Sequence, residues 1–210
     1  MRSALLATFF AFVAIAFAVS QSSWADWSTT SSAPGHGSNG NGPNGPHNGI
    51  GGSSGKCLDD SDVTTFINGY TYLLEHPGGP NFNQTANTIL SDNFTVWSDS
   101  INIMGTIPLG TPTWTSLADF IKSESYIPPL PTVSTLSTFH NCDQISWRWT
   151  ATGVKNADAP IADPVPVAGI ITFSVNVTSN KIETVSSEFN TAVFAHNIGN
   201  PECQSANDGK

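Results

Sequence analysis

The chain has little positive charge: seven Lys and Arg stand against 16 Asp and Glu among its 210 residues, which gives a formal net charge of -9. A nucleic-acid surface needs clustered basic residues to neutralise phosphates, so this balance argues against nucleic acid and anionic membranes as partners. The H-E-x-x-H, P-loop and C-x-x-C motifs are missing as well. Metalloprotease, nucleotide-binding and thiol-redox chemistry therefore have no motif behind them.

Long apolar runs are also missing after the first 19 residues. From Ala4 to Val19 the chain is apolar except for one Thr, a length of about 16 residues, which is short for a bilayer core of about 30 Å. Ala16-Phe17-Ala18 has the small-x-small pattern of a signal-peptidase site. The sequence thus predicts a cleaved secretory signal over residues 1–18 and an extracellular protein, with a retained anchor as the alternative.

Residues 19–56 have almost no apolar surface, because Thr29 to Gly55 is nearly all Ser, Thr, Gly, Asn, Pro and His. Such a segment cannot offset the entropy of ordering its backbone, so it predicts a disordered leader. Residues 57–198 have the composition and size of one folded domain. Residues 199–210 form a short C-terminal tail. We find no internal repeat.

Cysteine is scarce too, and an extracellular location favours disulfides over free thiols. Because the count is odd, one cysteine is left over or pairs between chains, and spacing leaves all three bridges open. Three Asn-x-Thr sequons predict exposed N-glycosylation sites in the same compartment. The cysteines are Cys57, Cys142 and Cys203, and the sequon asparagines are Asn83, Asn93 and Asn176.

The first half of the domain reads mainly as helices. Residues 58–76 begin with acidic capping residues and then place apolar side chains at helical spacing, and the "PGGP" at 77–80 ends the helix. A second helix is predicted over Thr85 to Leu90. The stretch "NFTVWSDSINIM", residues 93–104, predicts a strand, and a third helix follows over residues 115–126.

From Thr132 onward the pattern has a period of two, which is typical of strands with one apolar and one polar face. Apolar residues alternate with polar ones over residues 145–152 and again over 165–177. "NK" at 180–181 predicts a turn, and residues 182–195 predict a last strand that pairs back as a hairpin. Helices followed by a long antiparallel sheet predict an α+β fold.

The stretch "DQISWRWTATG", residues 143–153, resembles the central strand of the nuclear transport factor 2-like superfamily, in particular its polyketide-cyclase-like members. Together with "CLDDSDVTTFINGYTYLLEHPGGPNFN", "FHNCDQISWRW" and "SSEFN", it makes the whole domain similar to a group of secreted fungal proteins that carry this domain. The resemblance implies a cone-shaped, curved antiparallel sheet wrapped around the N-terminal helices, a cystatin-like α+β fold. It also implies an apolar cavity inside the cone.

Some members of this superfamily are cofactor-independent enzymes, and their chemistry needs a titratable pair in a dry pocket. The candidates for such a pair are His140 with Asp99 or Glu188. No residue of this set falls in a motif that matches an enzymatic member. The aromatic residues expected to line the cavity are Tyr70, Trp97, Trp147 and Trp149.

The stretch "FHNCDQ", residues 139–144, has the residue types of a metal or catalytic cluster. Asp143 and its neighbours also suit a turn between two antiparallel strands. The geometry of the superfamily allows Cys142 to bridge to Cys57, with Cys203 as the alternative partner, and a bridged cysteine ligates no metal. We therefore predict a turn here and no metal site.

Three functions remain open at this stage. The first is a non-enzymatic module that binds a small apolar ligand in the cone without any cofactor. The second is a lyase or isomerase that uses His140 with Asp99 or Glu188. The third is a homodimeric interaction protein whose cone is filled by its own aromatic side chains, since the open face of such sheets often pairs with a copy of itself.

Overall fold

The structure is a computed structural model of the chain, and it describes residues 56–124, 127, 129–156, 164–200 and 203. The predicted signal sequence and all of the predicted leader except Lys56 lie outside these ranges, as does most of the predicted tail. Within the described ranges, every helix is too short or too polar to cross a membrane.

Five helices are described, and the first shows why this sequence starts a helix where it does. The carboxylate of Asp59 accepts a hydrogen bond from the backbone N–H of Asp62, and the carboxylate of Asp62 accepts one from the backbone N–H of Asp59, which is a capping box. The helices are α1 (Asp60–Glu75), α2 (Phe82–Ile89), α3 (Asp99–Gly105), α4 (Leu117–Glu124) and α5 (Thr191–Asn197).

Six strands form one curved, unclosed sheet in the order β2-β1-β6-β5-β4-β3. Neighbouring strands are antiparallel except β1 and β6, which run parallel. This confirms the predicted α+β class with a curved sheet, and the parallel pair is a detail that the sequence did not indicate. The strands are β1 (Leu90–Trp97), β2 (Pro112–Trp114), β3 (Thr132–His140), β4 (Gln144–Thr152), β5 (Val167–Asn176) and β6 (Lys181–Phe189).

The sheet has one buried face, which we call the inner face. Directly paired residues share a face, so the apolar positions of β4, β5 and β6 line up across the strands. The helices cover these positions, and together they form the hydrophobic core. The inner-face residues of the three strands include Ile145, Trp147, Trp149, Ala151, Val167, Ile171, Phe173, Val175, Ile182 and Val185, all of them buried.

A disulfide joins Cys57 to Cys142, as the resemblance implied. It ties the residues before α1 to the turn between β3 and β4, and the backbone N–H of Leu58 donates to the carbonyl of Cys142 over 3.0 Å. Asn141 closes this turn by accepting from the backbone N–H groups of Asp143 and Gln144. Residues 141–143 are thus a turn, and Cys203 carries a free thiol.

Two strands end earlier than predicted, because in each case a capping side chain starts a helix directly after the strand. The predicted strand over 93–104 ends at Trp97, where the Ser98 hydroxyl accepts from the N–H of Ile101 and starts α3. The predicted last strand over 182–195 ends at Phe189, where Asn190 caps α5 in the same way. The predicted second helix begins earlier than expected, at Phe82.

Gly169 on β5 should be intolerant of any side chain. A Cβ at this position would lie 2.7 Å from the Trp149 ring and 2.8 Å from the Glu188 carbonyl oxygen. Gly169→Ala is therefore expected to lower the free energy of unfolding by about 1–3 kcal/mol in urea denaturation. Gly105→Ala is the control, because the nearest atoms there belong to the Ile107 side chain at 3.5 Å. Equal stability of the two variants would contradict this account of the core.

Candidate functional site

Two of the three predicted catalytic residues, Glu188 and Asp99, lie together, but each is held by backbone groups. The Glu188 carboxylate accepts from the N–H of Asp99 at 2.8 Å, from the N–H of Ser100 at 3.0 Å and from the Ser100 hydroxyl. The Asp99 carboxylate accepts from the N–H of Gly110 at 2.8 Å. Glu188 therefore caps the N-terminus of α3, and Asp99 fixes the loop that follows α3.

His140, the third, is far from the other two. It ends β3, and its Nε2 lies 3.1 Å from a carboxylate oxygen of Asp60 at the start of α1. Strands β4 and β5 separate β3 from the β6 strand that carries Glu188, which places the two strands about 14 Å apart. The structure thus does not assemble His140 with Asp99 or Glu188, and a catalytic role for them stays a prediction.

The predicted pocket aromatics divide between the two faces of the sheet. Tyr70, Trp147 and Trp149 are buried at the inner face. Trp97 does not join them, because it pairs with Ser186 on the opposite face and is 42% exposed. The alternation of β1 explains the difference, since its neighbour Val96 takes the buried position.

Aromatic side chains pack against one another at the inner face of the sheet. The Tyr70 ring meets Phe173 edge-on at 5.1 Å, and the Trp147 ring stacks on Phe173 at 6.2 Å. The Trp147 indole N–H donates to the Thr135 hydroxyl over 2.9 Å. Two grooves that the described residues form have linings without Tyr70, Trp147 or Phe173.

Glu124 is a buried acidic residue that the sequence analysis missed. It is the last residue of α4 and is only 6% exposed. Burial raises the pKa of its carboxyl to about 8, so it is mostly neutral at pH 7. Burial, together with the nearby Glu124, also raises the pKa of Tyr70. A signal was present, because Glu124 follows Leu117 by seven residues and Phe120 by four, on the apolar side of the helix.

The other face of the sheet, which we call the open face, carries a row of paired residues across five strands. At both ends of this row lie aromatic side chains, Trp97 at 42% and Phe139 at 71% exposure, and hydroxyl side chains lie between them. The row runs Phe139, Ser146, Thr172, Ser186 and Trp97 from β3 to β1. A groove of about 250 Å³ lies beside its Phe139 end.

The next row along the open face combines opposite charges with an apolar centre. Arg148 on β4 pairs with Ile170 on β5, which pairs with Glu188 on β6. Ile170 is 48% exposed, and a groove of about 440 Å³ surrounds it. Among the described residues, the Arg148 guanidinium has no ion pair. The open face thus presents exposed apolar groups and an uncompensated positive charge to solvent.

The three sequons lie at the surface or close to it. Asn83 and Asn93 are exposed, whereas the side-chain amide of Asn176 donates to Glu183 over 2.9 Å in the hairpin between β5 and β6. Glycosylation of these residues stays a prediction. The described residues contain no group of three His, Cys, Asp or Glu side chains placed to hold a metal ion.

A mixed α+β domain with a curved, unclosed sheet covered by helices is therefore the class that the geometry defines. A model of the NTF2-like domain family matches residues 56–201, so the chain belongs to the NTF2-like family. Comparison with curated proteins finds no match.

Solved structures with a similar fold are distant in sequence. A SnoaL-like protein from Jannaschia sp. CCS1 is 11% identical, with a TM-score of 0.45, covering 67% of this chain and 96% of that one. TsrD from Streptomyces laurentii is 9% identical, with a TM-score of 0.47, covering 68% and 98%. An NTF2-like protein from Anabaena variabilis ATCC 29413 is 13% identical, with a TM-score of 0.43, covering 63% and 93%. This likeness carries no conclusion about activity.

Removal of the Glu188 side chain should cost stability, because it leaves two backbone N–H groups of α3 without their acceptors. Glu188→Ala is expected to lower the free energy of unfolding by about 1–2 kcal/mol in urea. Glu183→Ala is the matched control on the same strand, because among the described residues Glu183 bonds only the Asn176 amide, and its loss should change stability by less than about 0.5 kcal/mol. If Glu188→Ala is as stable as Glu183→Ala, the capping role is wrong.

Proposed function

We propose that this protein is a non-enzymatic interaction module that pairs with a second copy of itself through the open face. The observation that carries the proposal is the row Arg148, Ile170 and Glu188, which has an exposed apolar centre and opposite charges on its two sides. The filled interior supports it as well, since both enzymatic and ligand-binding functions inside the cone need open space.

The row is complementary to itself. A two-fold axis that lies in the interface and runs along β5 through Ile170 exchanges the β4 side with the β6 side. Such an axis places Arg148 opposite the partner's Glu188 and Ile170 opposite the partner's Ile170. Because the axis repeats every contact, two charge pairs form around one apolar centre, as in isologous dimers. Arg148 thereby gains the ion pair that it lacks in the single chain.

Exposed aromatic groups extend this surface on the open face. Phe139 and Trp97 lie about 19 Å apart, across four strand spacings, with small hydroxyl side chains between them. Exposed apolar groups near a charged row are typical of protein interfaces, which place apolar anchors inside a polar rim. The net charge of -9 opposes association of two copies, so the interface depends on these local contacts.

Sedimentation velocity of the full chain tests the proposal. The wild type is expected to dimerise at concentrations below about 100 μM, and Ile170→Asp and Arg148→Glu should each lower the association constant at least about tenfold. Ala118→Asp is the control, because Ala118 is exposed on α4, which packs on the inner-face side of the sheet against α2, β1 and β2. A monomeric wild type, or an equal loss of association in Ala118→Asp, would reject the open face as the interface.

Ligand binding inside the cone is a second candidate function, and one observation favours it. The indole N–H of Trp149 is buried and has no hydrogen-bond partner in the described part of the chain. Buried donors are nearly always satisfied, so a water molecule or a ligand is a natural partner for this group.

Native mass spectrometry of the protein, purified from the medium of cells that secrete it, distinguishes the two candidate functions in one experiment. A small molecule bound to a monomer favours the cone, whereas a ligand-free dimer favours the open face.

A further inference from the structure

Glu124 is the one buried carboxyl among the described residues, and nothing there offsets the cost of burying its charge. Its side chain is 6% exposed and makes neither a hydrogen bond nor an ion pair there. It also ends α4, where the last carbonyl groups form the negative end of the helix dipole. A charged carboxylate at this place would thus be desolvated and repelled by its own helix, and no cation of the described residues pairs with it.

The elements packed against α4 supply no cation. Neither α2 nor β2 carries a titratable side chain, and the only one on β1 is Asp92, which is exposed. From α1, Tyr70 lies near Glu124 and is buried with it, while Glu75 accepts a hydrogen bond from the backbone N–H of Val133. The titratable groups of α4 itself, Asp119 and Lys122, are both exposed.

We propose that Glu124 is a proton-dependent latch. Its neutral carboxyl, packed near Tyr70, keeps the end of α4 in the core, and loss of the proton releases the end of α4 and opens the interior at Tyr70. The latch is independent of the open face, because α4 packs on the inner-face side of the sheet, against α2, β1 and β2. It would give solvent or a small molecule access to an interior that is otherwise filled.

The direction of the pH effect follows from linkage. The pKa of Glu124 in the folded chain is raised to about 8 from an ordinary value of 4.5. The stabilising contribution of the closed latch is therefore full below about pH 4.5 and is lost as the pH rises to about 8. Between these limits the equilibrium constant for opening rises about tenfold per pH unit, and above about pH 8 it levels off.

Hydrogen exchange of the full chain, followed by mass spectrometry between about pH 5 and 7.5, measures this opening at the amides of α4. Intrinsic exchange already rises about tenfold per pH unit, so the wild type should show about a hundredfold rise per unit at α4. Glu124→Gln cannot lose a proton and should show only the intrinsic tenfold rise. Asp119→Asn, on the exposed side of the same helix, should behave like the wild type.

The latch is rejected if α4 of the wild type shows only the intrinsic rise, or if Glu124→Gln keeps the hundredfold rise. Carboxyl-carbon NMR of glutamate-labelled wild type keeps the proposal falsifiable should Glu124→Gln fail to fold. One glutamate carboxyl is then expected to titrate near pH 8. If every glutamate titrates below about pH 6, Glu124 is not a buried neutral acid and the latch is overturned.

Discussion

The burial of one face of the sheet is the interaction on which the rest of the structure depends. Strands β4, β5 and β6 each place large apolar residues on the inner face, and helices pack over this face with their own apolar sides, among them α1, whose Tyr70 contacts Phe173 of β5. Because side chains alternate along a strand, this burial also fixes what the opposite face displays. The open face, with Arg148, Ile170 and Glu188, is thus a consequence of how the core is built. Its exposed residues occupy the alternate positions of the same strands that build the core.

A close contact between the Gly169 backbone and the Trp149 ring completes this core. The Trp149 ring lies against Gly169, where any side chain would meet the ring and the neighbouring strand β6. Trp149 also packs beside Phe189, which in turn contacts Phe194 of α5. The same packing leaves the Trp149 indole N–H without a partner, so tight filling and hydrogen-bond satisfaction conflict at this residue.

Much of the fold could be predicted from the sequence, because apolar residues alternate strictly with polar ones over residues 145–152 and recur at nearly every second position over 165–177. The ends of elements were harder. Ser98 and Asn190 each follow a strand and begin a helix, and a single capping side chain leaves little trace in an apolar pattern. The pairing of β1 with β6 was also beyond prediction, since it depends on contacts between residues about 90 positions apart.

The candidate site was predicted less well than the fold, for a physical reason. The type of a titratable residue does not reveal its environment. A glutamate is ordinarily expected to be a free, solvated carboxylate, and neither Glu188 nor Glu124 is one. Glu188 is exposed but structurally engaged, since its carboxylate caps α3. Glu124 is an acidic residue at an apolar position of its helix, and its burial was not predicted because acidic residues are usually exposed. The helical spacing from Leu117 was the better guide.

The disulfide between Cys57 and Cys142 also has a mechanical meaning. Cys57 precedes the first helix, so everything N-terminal to it is attached to the domain through this residue. Tension applied to that part of the chain passes through a covalent bond into the turn between β3 and β4 and bypasses the first turn of α1. Pulling therefore loads the sheet, whose strands resist as a unit, instead of unwinding a helix from its end. With the bond intact, such tension enters the sheet at the turn between β3 and β4, and reduction of the bond would move it to the first turn of α1.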